Sequence, residues 1–263
     1  MAVVKTAYVD GIEMKYAFFG SGSRNFIIIP GLSVKNVTDI ADAVETAYAS
    51  FAKQYTVYLF DRRENIPEGQ TMAQMAEDTA RVVEHLGIRE ADVFGASQGG
   101  MIGLYLALDH PELVHKLVLG STASRIPDIF VSLERRWHDS AVKKDHRDLC
   151  ESFVDMLYSD ATLSQRRDAL LSVIPTYTDA ELEHFIRLVA AFDTVTAYDR
   201  LEEIRCPVLV LGSRGDKVFG PEASEEMAAK LGCEMYIYGE KYGHAVYDEA
   251  PDYLERMLKF VNA

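Results

Sequence analysis

The sequence predicts an α/β fold: a mostly parallel, doubly wound sheet of about eight strands, with a helical cap inserted after the sixth. Three observations lead there. Short apolar, β-branched runs alternate with longer amphipathic stretches, and the first two runs are joined by Asp10-Gly11, a strong hairpin signal. The alternation stops after Gly120 and resumes at Pro207. Between them lie charge-laced helical segments without a good strand.

Taken in order, Ala2–Val9 and Glu13–Phe19 are the hairpin strands. Phe26–Ile29 is wholly apolar, as a strand buried on both faces requires. Asp39–Phe51 reads as a helix with Val44, Ala47, Tyr48 and Phe51 on one stripe, and Thr56–Phe60 as a strand. Thr71–Leu86 carries Met72, Met75, Ala76, Thr79, Val82, Val83 and Leu86 at helical spacing, closed by Gly87. Asp92–Ala96 is a strand, Gln98–Leu108 a helix apolar nearly all round, and Val114–Gly120 a strand. Leu149–Leu157 and Glu181–Val189 are among the cap helices. Pro207–Gly212 (strand), Ala223–Leu231 (helix), Glu234–Tyr238 (strand) and Tyr247–Phe260 (helix) complete the chain. The core is therefore residues 1–121 and 204–263, and the cap 122–203.

Composition narrows the function. The formal net charge of −14 disfavours nucleic acid, whose backbone is bound by clustered Lys and Arg. No stretch has the roughly 18–20 uncharged apolar residues of a membrane span, and the N-terminus lacks the pattern of an export signal. Cys150, Cys206 and Cys233 are widely spaced and odd in number, which suits free thiols in a reducing cytoplasm. Oligomeric state is not readable.

The sharpest motif is Gly95-Ala96-Ser97-Gln98-Gly99, followed by Gly100. An apolar strand leads in and an apolar helix leads out. Such a turn lifts the serine hydroxyl above the carboxyl end of the sheet in an unfavourable backbone conformation. Side chains at Gly95 or Gly99 would collide with the neighbouring strand or helix. A serine needs a base to act as a nucleophile near neutral pH. His85, His110, His115, His138, His146 and His184 read as capping or surface residues. His244 follows the last strand, where sites in such sheets are built, and is the candidate base. The carboxylate that orients it is assigned to Asp216, after the strand Pro207–Gly212, with Glu240 and Asp248 as rivals by sequence proximity. The loop Ser121-Thr122-Ala123-Ser124 offers no acid. The oxyanion is expected to meet the backbone amides of Gln98 and Leu32, the latter in the loop Pro30-Gly31-Leu32-Ser33.

With these residues in place, the chain resembles the α/β-hydrolase superfamily, in its capped single-domain esterase and lactonase group. The likeness covers nearly the whole length. It includes Gly95–Gly100, Asp109-His110-Pro111-Glu112-Leu113-Val114, Ile204–Gly212 with Asp216 after it, and Tyr242-Gly243-His244 with Glu249-Ala250-Pro251. The resemblance implies Ser97 as acyl nucleophile, His244 as general base then acid, and Asp216 as its orienter. Two places depart from the family pattern. The usual His-Gly of the oxyanion loop is Pro30-Gly31, and the usual glycine-rich turn is Asp61-Arg62-Arg63-Glu64-Asn65-Ile66-Pro67, so its path does not carry over.

The expected function is hydrolysis of a carboxylic ester or lactone of a small to medium substrate through an acyl-enzyme, without cofactor or metal. The rivals are thioester or carbon–carbon bond hydrolysis or perhydrolysis with the same triad, and a ligand-binding protein on the same fold. Phe130, Trp137, Phe153, Tyr158 and Phe192 read mainly as the cap's own core.

Overall fold

A computed structural model describes residues 1–263. Eight strands form one sheet: β1 (Val3–Val9), β2 (Ile12–Phe19), β3 (Arg24–Ile29), β4 (Tyr55–Arg63), β5 (Ala91–Ala96), β6 (Val114–Gly120), β7 (Val208–Ser213) and β8 (Glu234–Tyr238). Their spatial order is β1-β2-β4-β3-β5-β6-β7-β8. β1 and β2 pair antiparallel through the Asp10-Gly11 turn, where both residues have positive φ. β2 also runs antiparallel to β4, and every later pairing is parallel. The doubly wound sheet is as the sequence predicts.

Alternation along the central strands sends successive side chains to two apolar layers. Ile27, Ile29, Val93, Leu117, Leu119 and Val210 face the layer covered by α2 (Met72–His85), α3 (Gln98–Asp109) and α8 (Pro221–Leu231). Phe26, Ile28, Phe94, Val118, Leu209 and Leu211 face the other, covered by α1 (Ala41–Ala47) and α10 (Tyr253–Asn262). α3 is buried from Gln98 to Leu108, as its all-round apolar sequence requires. α2 opens on a capping box between Thr71 and Gln74.

Two predicted helices are broken. Instead of one helix over 39–51 there are three short pieces: a 3₁₀ turn at Val37–Ile40, α1, and a 3₁₀ turn at Phe51–Lys53. Tyr48 and Phe51 are buried, but Ala47 is exposed, so the apolar stripe does not run continuously. Tyr247–Phe260 is divided into α9 (Val246–Glu249) and α10, because Pro251 cannot supply the amide that a continuous helix needs. β4 runs three residues beyond Phe60, drawing Asp61 and Arg62 into the sheet's end.

The inserted segment folds as α4 (Asp128–Val142), α5 (His146–Leu157), α6 (Asp160–Leu170) and α7 (Asp179–Ala190), followed by 3₁₀ turns. Its Phe130, Leu133, Trp137, Phe185 and Phe192 belong to the same apolar cluster as one face of the sheet. The three cysteines are unpaired, and burial pushes the thiols of Cys206 and Cys233 up to about 11. No helix is long and apolar enough to cross a membrane.

Candidate active site

Because β5, β6, β7 and β8 run parallel, the loops that leave their carboxyl ends gather at one rim. Ser97 sits at the β5–α3 turn with φ +52° and ψ −121°, a conformation that L-residues rarely adopt. The turn is held from both sides. The Ser97 amide donates to the Gly120 carbonyl at 2.8 Å, and the Thr122 hydroxyl donates to the Ser97 carbonyl at 2.6 Å. A methyl group on Gly95 would overlap the backbone of Gly99 and Gly100, and one on Gly99 would overlap the carbonyl oxygens of Ile29 and Pro30. The glycines are thus required by close approach of backbone to backbone.

His244 and Asp216 meet. Imidazole Nδ1 lies 3.0 Å from Oδ1 and 2.9 Å from Oδ2 of Asp216. His244 is 1% exposed and Asp216 6%. The Asp216 carboxylate also accepts the amides of Val218 (2.8 Å) and Phe219 (3.1 Å), so its orientation is fixed by its own loop. With Nδ1 donating to the carboxylate, Nε2 is left as the acceptor nitrogen of the ring. Ser97 and His244 share no hydrogen bond. The ring of Phe219 stands 5.3 Å from the imidazole, and Phe130 and Phe192 pack behind it.

Four of the other histidines are engaged elsewhere. His110 pairs with Glu77 (2.8 Å) and His115 with Asp92 (2.7 Å). His146 accepts the Tyr177 amide, and His184 lies 3.0 Å from the Arg63 carbonyl. Of the rival acids, Asp248 accepts the Tyr158 hydroxyl at 2.9 Å, whereas Glu240 lies in the wall of a groove beside Asp216. That groove, about 830 Å³, runs between Leu133 and Arg136 of α4, Met156 of α5, and Lys217 and Glu240 of the core. It reaches Asp216 but not Ser97 or His244.

The loop after β3 passes over the serine. A Cβ on Gly31 would lie 3.3 Å from the Ser97 Cβ, so Leu32, the next residue, is beside the nucleophile. The Gln98 amide opens α3 and has no intrahelical acceptor. The Gln98 side chain turns away and donates to the Leu188 carbonyl of α7 at 2.9 Å.

Three features escape sequence reading. Thr122 is one, since a hydroxyl on the serine's carbonyl has no pattern. The second is a tie between the inserted helices and the histidine loop. The Ala245 amide donates to the Leu157 carbonyl at 2.8 Å, and the Glu249 carboxylate accepts both from Ser159 (2.7 and 3.0 Å) and from the Gly243 amide. Glu249 is visible in the sequence only as part of Glu249-Ala250-Pro251. The third is the buried pair Asp61 and Arg62, 5% and 7% exposed. Burial pushes the Asp61 carboxyl up and draws the Arg62 guanidinium down to about 10.

Comparison with known proteins agrees with this architecture. The family described as "alpha/beta hydrolase fold" matches residues 25–251. The chain is 31% identical over 226 residues to BpoC of Mycobacterium tuberculosis, named as a candidate non-heme bromoperoxidase, covering 81% of this chain and 85% of that one. It is 29% identical over 195 residues to RutD of Caulobacter vibrioides, named as a candidate carbamate hydrolase, covering 69% and 71%. Among solved structures, the enol-lactonase of Burkholderia xenovorans LB400 superposes with a TM-score of 0.83 at 21% identity, covering 98% of this chain and all of that one. MGS-M2, from a Medee basin deep-sea metagenome, gives 0.87 at 20% identity, with 98% of each chain covered. These two likenesses are of fold alone.

Proposed function

The chain belongs to the α/β-hydrolase family, and on that premise we propose that it is a serine hydrolase cleaving a carboxylic ester or lactone of a small to medium substrate. The observation that carries the reading is the strained Ser97 at the strand-to-helix turn, on the same rim as a buried His244 already oriented by Asp216. Ser97 Oγ attacks the carbonyl carbon while His244 Nε2 takes its proton. The resulting imidazolium is stabilised by Asp216, and the Leu32 and Gln98 amides hold the developing oxyanion. His244 then protonates the leaving alcohol. Water, deprotonated by His244, attacks the acyl-enzyme and releases the acid and Ser97. In a lactone the leaving alcohol stays tethered to the acid, and the same steps open the ring.

The names of the relatives support an acyl-type carbon as the target: one is named a carbamate hydrolase and a structural neighbour an enol-lactonase. The likeness to a protein named a bromoperoxidase favours a second reading. Hydrogen peroxide in place of water would convert the same acyl-enzyme into a peracid and free serine.

A fluorophosphonate probe tests the nucleophile. Wild-type protein is expected to be labelled at Ser97, Ser97→Ala not at all, and His244→Ala about 100-fold more slowly or worse. A panel of p-nitrophenyl esters and lactones of increasing acyl length, run with and without hydrogen peroxide, then separates the two readings. An unlabelled Ser97 together with no turnover across the panel would rule out both.

A further inference from the structure

We propose that Asp61 and Arg62 are positioning residues that grip the two ends of the loop carrying the Leu32 amide, and so set the oxyanion donor against Ser97. The inference rests on the serine-hydrolase reading for its catalytic consequence, but the grip itself is geometric.

Residues 30–36 form no helix or strand. Such a segment holds its shape only through what its polar groups are bonded to. At its start, Arg62 Nη2 donates to the Pro30 carbonyl at 2.6 Å. At its end, Asp61 Oδ1 accepts the Val37 amide at 2.8 Å, and Oδ2 accepts the Thr38 amide at 3.0 Å and the Thr38 hydroxyl at 2.7 Å. One dipeptide at the end of β4 therefore reaches both ends of the loop. Holding the Pro30 carbonyl fixes the plane of the Pro30–Gly31 peptide, and the next peptide plane is the one that presents Leu32 N–H. The same carbonyl lies against the first turn of α3, because a Cβ on Gly99 would overlap it. Elbow and oxyanion loop thus share one contact point, and Arg62 holds it.

The chemistry of the pair argues against a mere surface ion pair. Both groups are buried, and no carboxylate lies within ion-pairing distance of the guanidinium. Arg62 Nε is buried without a partner. Burying a charge in this way is unfavourable unless something requires its geometry.

The test uses Arg62→Met, Arg62→Lys and the milder Thr38→Val, which removes one of the three bonds to Asp61. Amide hydrogen exchange over residues 30–38 reads the grip without any turnover; it is expected to speed at least about tenfold in Arg62→Met, with the rest of the sheet unchanged. Turnover of a p-nitrophenyl ester, counted per fluorophosphonate-titrated site, is expected to fall about 10- to 100-fold in kcat with KM within about twofold. Affinity for a phenylboronic acid should fall in parallel. Arg62→Lys should recover part of both. If Arg62→Met does not fold, Thr38→Val carries the same test with a loss of about three- to tenfold. Unchanged exchange over 30–38, or unchanged kcat per site and boronate affinity, would overturn the proposal. A wild-type Ser97 that is never labelled would instead sink the serine-hydrolase reading, while the exchange measurement still judges the grip.

Discussion

Gly99 is where one methyl group matters most. Its Cβ would overlap the carbonyl oxygens of Ile29 and Pro30, which are backbone and cannot rotate aside. Gly99→Ala is therefore expected to push the loop after β3 off the Ser97 turn, destabilising the protein by about 1–3 kcal/mol. A melting curve should show a drop of about 2–10 °C, accompanied by a loss of hydrolase activity larger than the stability change explains. At this scale the sequence was highly legible where a residue type is forced. Ser97 between close-packed glycines could be placed at the β5–α3 turn, and His244 and Asp216 in loops after late strands, because the motif and the strand order fix those positions. Arg62 was not legible in the same way. Its partner is a carbonyl 32 residues away, and carbonyls carry no residue identity.

Among the elements, the sheet strands were read to within a few residues because their apolar runs are short and bounded. The helices that failed, 39–51 and 247–260, failed for local reasons: an interrupted apolar stripe in one and Pro251 in the other. α4 carries a testable electrostatic feature. Burial, with the nearby charge of Asp193, raises the Glu134 carboxyl to about 7. Arg135 and His138 line the same shallow hollow. A carboxyl raised in the folded state stabilises the fold fully below its unfolded value, near 4.3, and loses that contribution as pH rises through 7. Glu134 is half-buried, so screening limits the effect to about 1 kcal/mol or less. Glu134→Gln should gain stability relative to wild type between pH 4.5 and 7.5, and match it at pH 4. Parallel melting curves at all pH values would contradict the assignment.

Over the whole molecule, the inserted helices and one face of the sheet share a single apolar cluster. Phe130 is its junction, with ring centroids 4.7 Å from Phe192 of the insertion and 5.0 Å from Phe219 of the core. Phe130→Ala is expected to lower stability by about 3–5 kcal/mol while calorimetry still records one transition. Two resolved transitions would mean that the insertion melts by itself. How the helices of this segment stack was not legible in the sequence, since helical spacing names a buried face without naming what covers it. The tie at Glu249 gives that stacking a mechanical meaning. Leu157 and Ser159 are bonded to the stretch of chain around His244, so a displacement of α5 and α6 would pull on the imidazole's own loop. Substrates of different girth should then differ in how well the imidazole is aimed, and therefore in turnover as much as in binding.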